Sequence, residues 1–239
     1  MQNAAFAAMG LDHSYVLADV QPNGLGGAVR LLRSRAFIGA NVTVPYKQDV
    51  IRHLNRIDEI AAAAGAVNTI TREGGYLLGW NTDVPAIRDE VVALRPQPKN
   101  AVILGTGGAA HGVAVALDGL AEKVVQVSRA EWDRLPEFIA AADLLVNATP
   151  IGTAADESPL PAALLHDALA VLDLVYRPSP TRLVREAREC GLASRGGAGV
   201  LLGQGWRSLE KWLGQPVPDE VKAAMADALR RELGEGADV

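Results

Sequence analysis

The sequence predicts a two-lobed α/β chain, one lobe built on a parallel sheet covered on both faces and the other a smaller α/β lobe. Three observations predict it. Beyond residue 100, short and continuously apolar strands alternate with helices, the pattern of a buried parallel sheet. A glycine turn joins the first of these strands to its helix. The Pro-rich stretch Arg95-Pro96-Gln97-Pro98 separates this half from a first third of mixed character, and is the clearest linker.

In the first third, residues 37–44 are strand-like, and residues 49–64 read as one helix because their apolar positions recur at helical intervals. Residues 67–72 and Tyr76–Trp80 flank Glu73-Gly74-Gly75, which reads as a hairpin turn. Residues 84–94 form a helix that stops at the Pro-rich linker. Strands follow at 101–104, 123–128, 143–147 and 170–175, with helices at Gly108–Leu117 and 181–190, the latter closed by Gly191. The tail reads as two helices, 200–213 and 220–233, packing back on the first lobe. The expected result is two lobes with a cleft between them.

At 239 residues the chain suits one large or two modest domains. A net charge of −5 argues against nucleic acid or an anionic membrane as partner, since either favours a basic footprint. No apolar run approaches the ~20 residues that span a bilayer. One cysteine, Cys190, permits no intrachain disulfide, in keeping with a reducing cytoplasm. Its plain reading is a small packed residue. The four histidines lack metal-ligand spacing, so no metal is expected.

Val102-Ile103-Leu104-Gly105-Thr106-Gly107-Gly108-Ala109-Ala110 runs strand, glycines, helix. In a dinucleotide site the first glycine makes the tight turn, the second admits the pyrophosphate, and a small third residue, here Ala110, lets helix and strand pack closely. The pyrophosphate then meets the free N–H groups of a helix N-terminus. A glycine turn without function is the plain alternative, but the strand-before, helix-after setting favours a Rossmann-like nucleotide site. The second strand ends Val127-Ser128-Arg129, with no acid at that end to hold a ribose 2′-hydroxyl. Arg129 suits a 2′-phosphate, so NADP is the expected cofactor. The missing acid also weakens a methyltransferase reading. Otherwise Arg129 is a solvated surface residue.

Asn41-Val42-Thr43-Val44-Pro45-Tyr46-Lys47 reads as a strand breaking at proline into a helix, with Lys47 in the first turn, where the dipole disfavours a cation. A charge so placed suggests acid–base work; the alternative is an exposed lysine covering apolar surface. Asp83, before Pro85, is well placed as a helix N-cap, and a cap need not be catalytic. Gly65-Ala66-Val67-Asn68-Thr69 sets an amide and a hydroxyl at the start of a strand, where a turn role is also open.

Taken in order, 41–47, 65–69, Gly79-Trp80-Asn81-Thr82-Asp83, the glycine loop, Asn147-Ala148-Thr149-Pro150-Ile151-Gly152, Asp173-Leu174-Val175-Tyr176-Arg177-Pro178 and Gln204-Gly205 resemble the signature of shikimate dehydrogenases, from about residue 4 to 214. The resemblance implies reversible reduction of 3-dehydroshikimate to shikimate by NADPH, a step of aromatic amino-acid biosynthesis. It implies Lys47 as acid–base residue and Asp83 positioning it and holding a substrate hydroxyl. Thr43, Asn68 and Gln204 would contact the ring hydroxyls, with Tyr176 lining the same site. Gly105, Gly107, Gly108, Ala109, Ser128, Arg129, Thr149 and Gly197 would serve the cofactor. Residues 1–84 and 198–239 would form the substrate-binding lobe and 85–197 the dinucleotide-binding domain. A monomer or homodimer is expected.

The chain departs from that family in places. Members normally open with a strand, a glycine turn and a Ser-x-Ser motif for the substrate carboxylate, whereas Met1-Gln2-Asn3-Ala4-Ala5-Phe6 resembles the helix after it. The expectation is that the natural protein carries roughly 20 more residues upstream, at ~3.3 Å per strand residue. Residues 130–142 have room for one short helix where the family fits a helix and a strand, so an edge strand is expected to be missing. Val200 stands where many relatives have methionine, a tolerable swap. A dehydrogenase of quinate or another cyclohexene acid, and a non-catalytic NADP-binding paralogue, are the alternatives.

Overall fold

The computed structural model describes residues 1–234. It divides into two compact units, one of Met1–Asp83 with Gly203–Ala228, the other of Val84–Leu202 with the described residues from Leu229 to Gly234. Of the range 198–239 expected in the first lobe, 203–228 falls in the first unit, 198–202 and 229–234 fall in the second, and 235–239 lie outside the described residues.

The first unit opens with helices α1 (Gln2–Ala8) and α2 (Leu25–Leu31). Then come strand β1 (Gly39–Asn41), strand β2 (Arg56–Ile57), helix α3 (Glu59–Ala64), and strands β3 (Thr69–Glu73) and β4 (Tyr76–Trp80). The sheet order is β1-β3-β4-β2. The expected hairpin forms with Gly74 and Gly75 as its two loop residues (φ 55° and 92°), and Glu73 pairs with Tyr76. The single helix expected over 49–64 does not form. Residues Asp49–His53 make a 3-10 turn, β2 pairs in parallel with β4, and only then does α3 begin, capped by Asp58. The break is tertiary: the Asn55 side chain accepts from the Leu77 N–H at 2.9 Å and from Arg33 at 2.8 Å, and the Asn55 N–H donates to the Leu77 carbonyl. The core of this unit gathers Leu25, Val29, Val50, Ala61, Val67, Ile70 and Leu77.

The second unit runs from α4 (Asp83–Leu94, whose first residue closes the first unit) through β5 (Asn100–Leu104), α5 (Gly108–Leu117), β6 (Lys123–Val127) and α6 (Leu135–Ala140). It continues with β7 (Leu144–Asn147), β8 (Ala170–Asp173), α7 (Arg182–Glu189) and β9 (Ser194–Arg195). All pairs in this sheet are parallel, in the order β6-β5-β7-β8-β9. Val102, Leu104, Leu145 and Val171 face a core shared with α6 and α7, while the alternate positions Ile103, Leu144, Val146 and Leu172 are equally buried. Both faces are therefore covered, as the unbroken apolar runs require. Among the described residues β6 has no neighbour beyond it, and residues 129–140 form a 3-10 turn running straight into α6. The short β9 escaped prediction because two residues carry no periodicity.

Helices α8 (Ala198–Leu213) and α9 (Asp219–Leu233) are the last elements of the described residues. From Gly203 on, α8 belongs to the first unit: the Trp212 indole N–H donates to the Ile70 carbonyl at 3.0 Å, and the Gln2 amide donates to the Gly205 carbonyl at 3.0 Å. No helix among the described residues is long and apolar enough to cross a membrane.

Candidate active site

In the first unit, β1 leads into a turn that carries Lys47. The Tyr46 N–H donates to the Thr43 carbonyl, and the Val67 N–H donates to the Lys47 carbonyl at 2.8 Å, which fastens the turn to the approach of β3. Lys47 therefore sits in a turn before the 3-10 segment and not, as the sequence predicts, in the first turn of a helix; Pro45 and the bond to Val67 shape the backbone differently. The helix end it meets is that of α4, through Asp83, and not one of its own. Asp83 is likewise the first residue of α4 and not its cap. Its N–H donates to Asn81 Oδ1 at 3.1 Å, and its carboxylate turns to Lys47, with Nζ to Oδ2 at 2.8 Å. Side-chain exposures of 31% and 24% leave both groups shielded on one side and open on the other. An ammonium fixed by a carboxylate and open to a ligand can stabilise negative charge on a nearby oxygen and exchange a proton with it.

Beneath the pair lies a buried, uncharged polar cluster. Asn68 Oδ1 accepts from the Thr82 N–H at 2.8 Å, and Asn68 Nδ2 donates to Thr82 Oγ1 at 3.0 Å. Thr69 Oγ1 lies 2.7 Å from Ser208 Oγ, and Asn41 Nδ2 donates to Ser208 Oγ at 2.9 Å. Ser208 Oγ also donates to the Gln204 carbonyl at 2.9 Å. The Tyr15 hydroxyl donates to Asn41 Oδ1 at the margin of the cluster, and burial pushes that phenol above its ordinary range. Of the residues singled out in the sequence, Lys47, Asp83 and Asn68 thus come together, with Asn68 fixing the backbone N–H of Thr82, the residue before Asp83. Thr43 is exposed on the Lys47 turn, and Gln204 is half-buried on α8. The Thr69 hydroxyl, which the sequence sets at the start of a strand, joins the cluster, whereas Thr82 and Ser208 were not foreseen. Ser208 has no local signal, because only the fold brings it to residues more than a hundred positions away.

In the second unit, β5 ends at Gly105, whose φ of 111° is one that side chains other than glycine rarely adopt. Its N–H donates to the Val127 carbonyl at 2.9 Å, and a Cβ there would lie 3.3 Å from Thr149. Gly107 caps the ten-residue α5, Gly108 opens it, and Ala109 is exposed. A Cβ on Gly107 or Gly108 would meet nothing, so the first turn of the helix faces open space with its N–H groups available, as a pyrophosphate requires. Ala110 is fully buried against the sheet. The chain reverses strand order between β5 and β7, the place where open parallel sheets bind ligands. Gly105 and Thr149 flank it. Thr149 Oγ1 donates to Asn147 Oδ1 at 2.7 Å, and Asn147 Nδ2 donates to Asp173 Oδ1 at 2.8 Å.

Asp173 is buried and also accepts from the Thr181 hydroxyl at 2.7 Å and the Val175 N–H at 3.0 Å. Burial raises its carboxyl above the usual range, against the lowering effect of those three donors. Tyr176 follows as an exposed ring, 44% accessible. Gly197 packs on the backbone of Leu174, whose carbonyl oxygen would lie 2.2 Å from any Cβ, so only glycine fits. Ser128 and Arg129 follow β6. Arg129 is exposed. The acid absent from that strand end in the linear sequence is supplied three residues later: Glu131 folds back onto Ser128 in a capping box. The Ser-x-x-Glu spacing was the signal for it.

A family model described as the shikimate dehydrogenase substrate binding domain matches residues 1–70. A shikimate dehydrogenase (NADP(+)) from Rubrobacter xylanophilus is 41% identical over 266 residues, covering 99% of this chain and 90% of that one. One from Methanopyrus kandleri is 38% identical, covering 96% and 90%. Among solved structures, shikimate 5-dehydrogenase from Thermus thermophilus, in complex with NADP(H) and shikimate, superposes with a TM-score of 0.86 at 34% identity, over 96% of this chain and 92% of that one. Two sheets of the expected kinds, a glycine turn at a strand-order reversal and a fixed Lys47–Asp83 pair accompany an identity that runs almost end to end. The chain belongs to the shikimate dehydrogenase family.

Proposed function

We propose that this chain catalyses the NADPH-dependent, reversible reduction of 3-dehydroshikimate to shikimate, a step of aromatic amino-acid biosynthesis. The observation that carries the reading is the 2.8 Å Lys47–Asp83 pair in a chain of this family. When bound, NADPH supplies the hydride that reduces the substrate carbonyl. Lys47 stabilises the negative charge that grows on the carbonyl oxygen and gives it a proton from Nζ; in the reverse direction it takes that proton back. Asp83 orients Nζ and accepts from a substrate hydroxyl. Asn68 holds the backbone at Thr82, and Asn68, Thr43, Gln204 and Tyr176 contact the ring hydroxyls. A polyol needs such partners because each unpaired buried polar group costs about 1–3 kcal/mol.

For the cofactor, the open first turn of α5 at Gly105, Gly107, Gly108 and Ala109 fits a pyrophosphate, Ser128 and Arg129 fit the ribose 2′-phosphate, and Thr149 and Gly197 border the same ligand. On this reading the unit of 1–83 and 203–228 binds the substrate and the unit that begins at Val84 binds the dinucleotide. The enzyme works as a monomer or homodimer on a small-molecule substrate. A cytoplasmic setting suits a chain whose one cysteine, Cys190, is free. Following NADP⁺ reduction with shikimate and then with quinate tests the reading: turnover of shikimate well above quinate supports it, the reverse preference reassigns the substrate, and no turnover of either leaves a binding protein.

A further inference from the structure

The end of β6 carries two groups of opposite charge with opposite preferences. Leu104 of β5 pairs with Val127 of β6, and the Gly105 N–H donates to the Val127 carbonyl, so Ser128 begins directly beside the glycine turn. In a dinucleotide site of this type the end of the second strand meets the adenosine ribose. There the Ser128 hydroxyl donates to Glu131 Oε2 at 2.7 Å and the Ser128 N–H donates to the same oxygen at 3.1 Å. These bonds, the hydroxyl's first, hold the Glu131 carboxyl below its usual range, so it is ionised at neutral pH. The short 129–134 turn returns the carboxylate to the strand end.

A 2′-phosphate arriving here meets Arg129, which attracts it, and Glu131, which repels it and occupies both Ser128 donors. A ribose 2′-hydroxyl meets no such conflict, because a carboxylate accepts from it. We infer that Glu131 is a specificity-determining residue of the cofactor site, one that narrows the preference for NADP over NAD and lets the chain bind both. The inference rests on the placement of the ribose at the end of β6 given under Proposed function.

Calorimetric titration of the full chain with NADP⁺ and with NAD⁺, wild type against Glu131→Gln and Arg129→Ala, tests it. Glutamine serves a capping box as glutamate does, so Glu131→Gln removes charge and keeps the turn. Glu131→Gln should tighten NADP⁺ by roughly three- to tenfold, leave NAD⁺ unchanged or weaker, and lose this gain as salt is raised. Arg129→Ala should weaken NADP⁺ more than NAD⁺. If Arg129→Ala discriminates but Glu131→Gln moves both cofactors equally or neither, the inference is overturned and the cofactor site stands. If Arg129→Ala does not discriminate, the ribose lies elsewhere, and the site assignment fails together with the inference.

Discussion

The two units each support their functional edge on a buried polar network, and the networks are built on opposite plans. The first unit uses neutral groups, Asn41, Asn68, Thr69, Thr82 and Ser208, most of them hydroxyls that either donate or accept. The second uses a carboxylate, Asp173, which only accepts, with three donors aimed at it. A hydroxyl cluster can re-pair after losing a member, whereas donors around a lost carboxylate have nowhere to turn. In the first unit charge is thus kept at the half-open Lys47–Asp83 pair; in the second it is buried.

The comparison breaks if charge at the open pair proves structural. Lys47→Ala should lower turnover by roughly 10²–10⁴-fold, the usual worth of a positioned acid–base group, with an unchanged denaturation midpoint and nearly unchanged NADP⁺ binding. Near-normal turnover would return Lys47 to a surface role. Asp83→Asn should move turnover in the same direction by a smaller factor. Its melting cost should stay within about 1 kcal/mol, the scale for an acid in a first helical turn. A large stability loss with intact turnover would make Asp83 a structural group.

The buried carboxylate should behave in reverse. Asp173→Ala leaves the Thr181 hydroxyl and the Val175 N–H without an acceptor and Asn147 Nδ2 with only the Ile151 carbonyl, and should cost about 2–4 kcal/mol in urea unfolding, with the turnover of folded molecules much less affected. The pH dependence has a fixed sign. Burial raises the folded carboxyl above its unfolded value of ~3.9, so its contribution is full below that value and is lost as pH rises through the raised folded one. The stability gap between wild type and Asp173→Asn should therefore narrow as pH climbs through that window. A gap that widens means the three donors outweigh burial. Ser208→Ala should cost least, about 1 kcal/mol, because Asn41 Nδ2 retains the Asn68 carbonyl and Thr69. A loss equal to that of Asp173→Ala would erase the contrast between the networks.

Legibility in the sequence followed the range of the forces involved. The β5–glycine–α5 passage and the Tyr76–Trp80 hairpin were readable because backbone conformation and periodicity are local there. Residues 49–64 misled because Val50, Ile51, Leu54 and Ile57 recur at helical spacing, while the break depends on Asn55 meeting Leu77 and β2 meeting β4. The motif order pointed to Lys47 and Asp83 together, but the proposed dipole on Lys47 and cap at Asp83 were both misplaced by a turn set through Val67 and Asn81. Ser208 was invisible because Asn41, Thr69 and Thr82, the side chains it meets, lie more than a hundred residues away. Glu131 was visible in its Ser-x-x-Glu spacing, but it lies beyond the last residues of β6, where a ribose-binding acid is expected.

The division of the chain has a temporal side. Residues 84–202 form most of one unit in a single stretch, while the other waits for 203–228 to return to strands made over a hundred residues earlier. Until α8 emerges from the ribosome, Thr69 lacks its Ser208 partner and the Ile70 carbonyl lacks the Trp212 N–H. The nascent protein is therefore expected to order its later-made sheet first, since long loop closures come late. Pulsed hydrogen exchange during refolding would register this as protection of Val102 and Leu145 before Ile70 and Thr71. Protection arriving in the opposite order would show that β1, β3 and β4 fold without waiting for the tail.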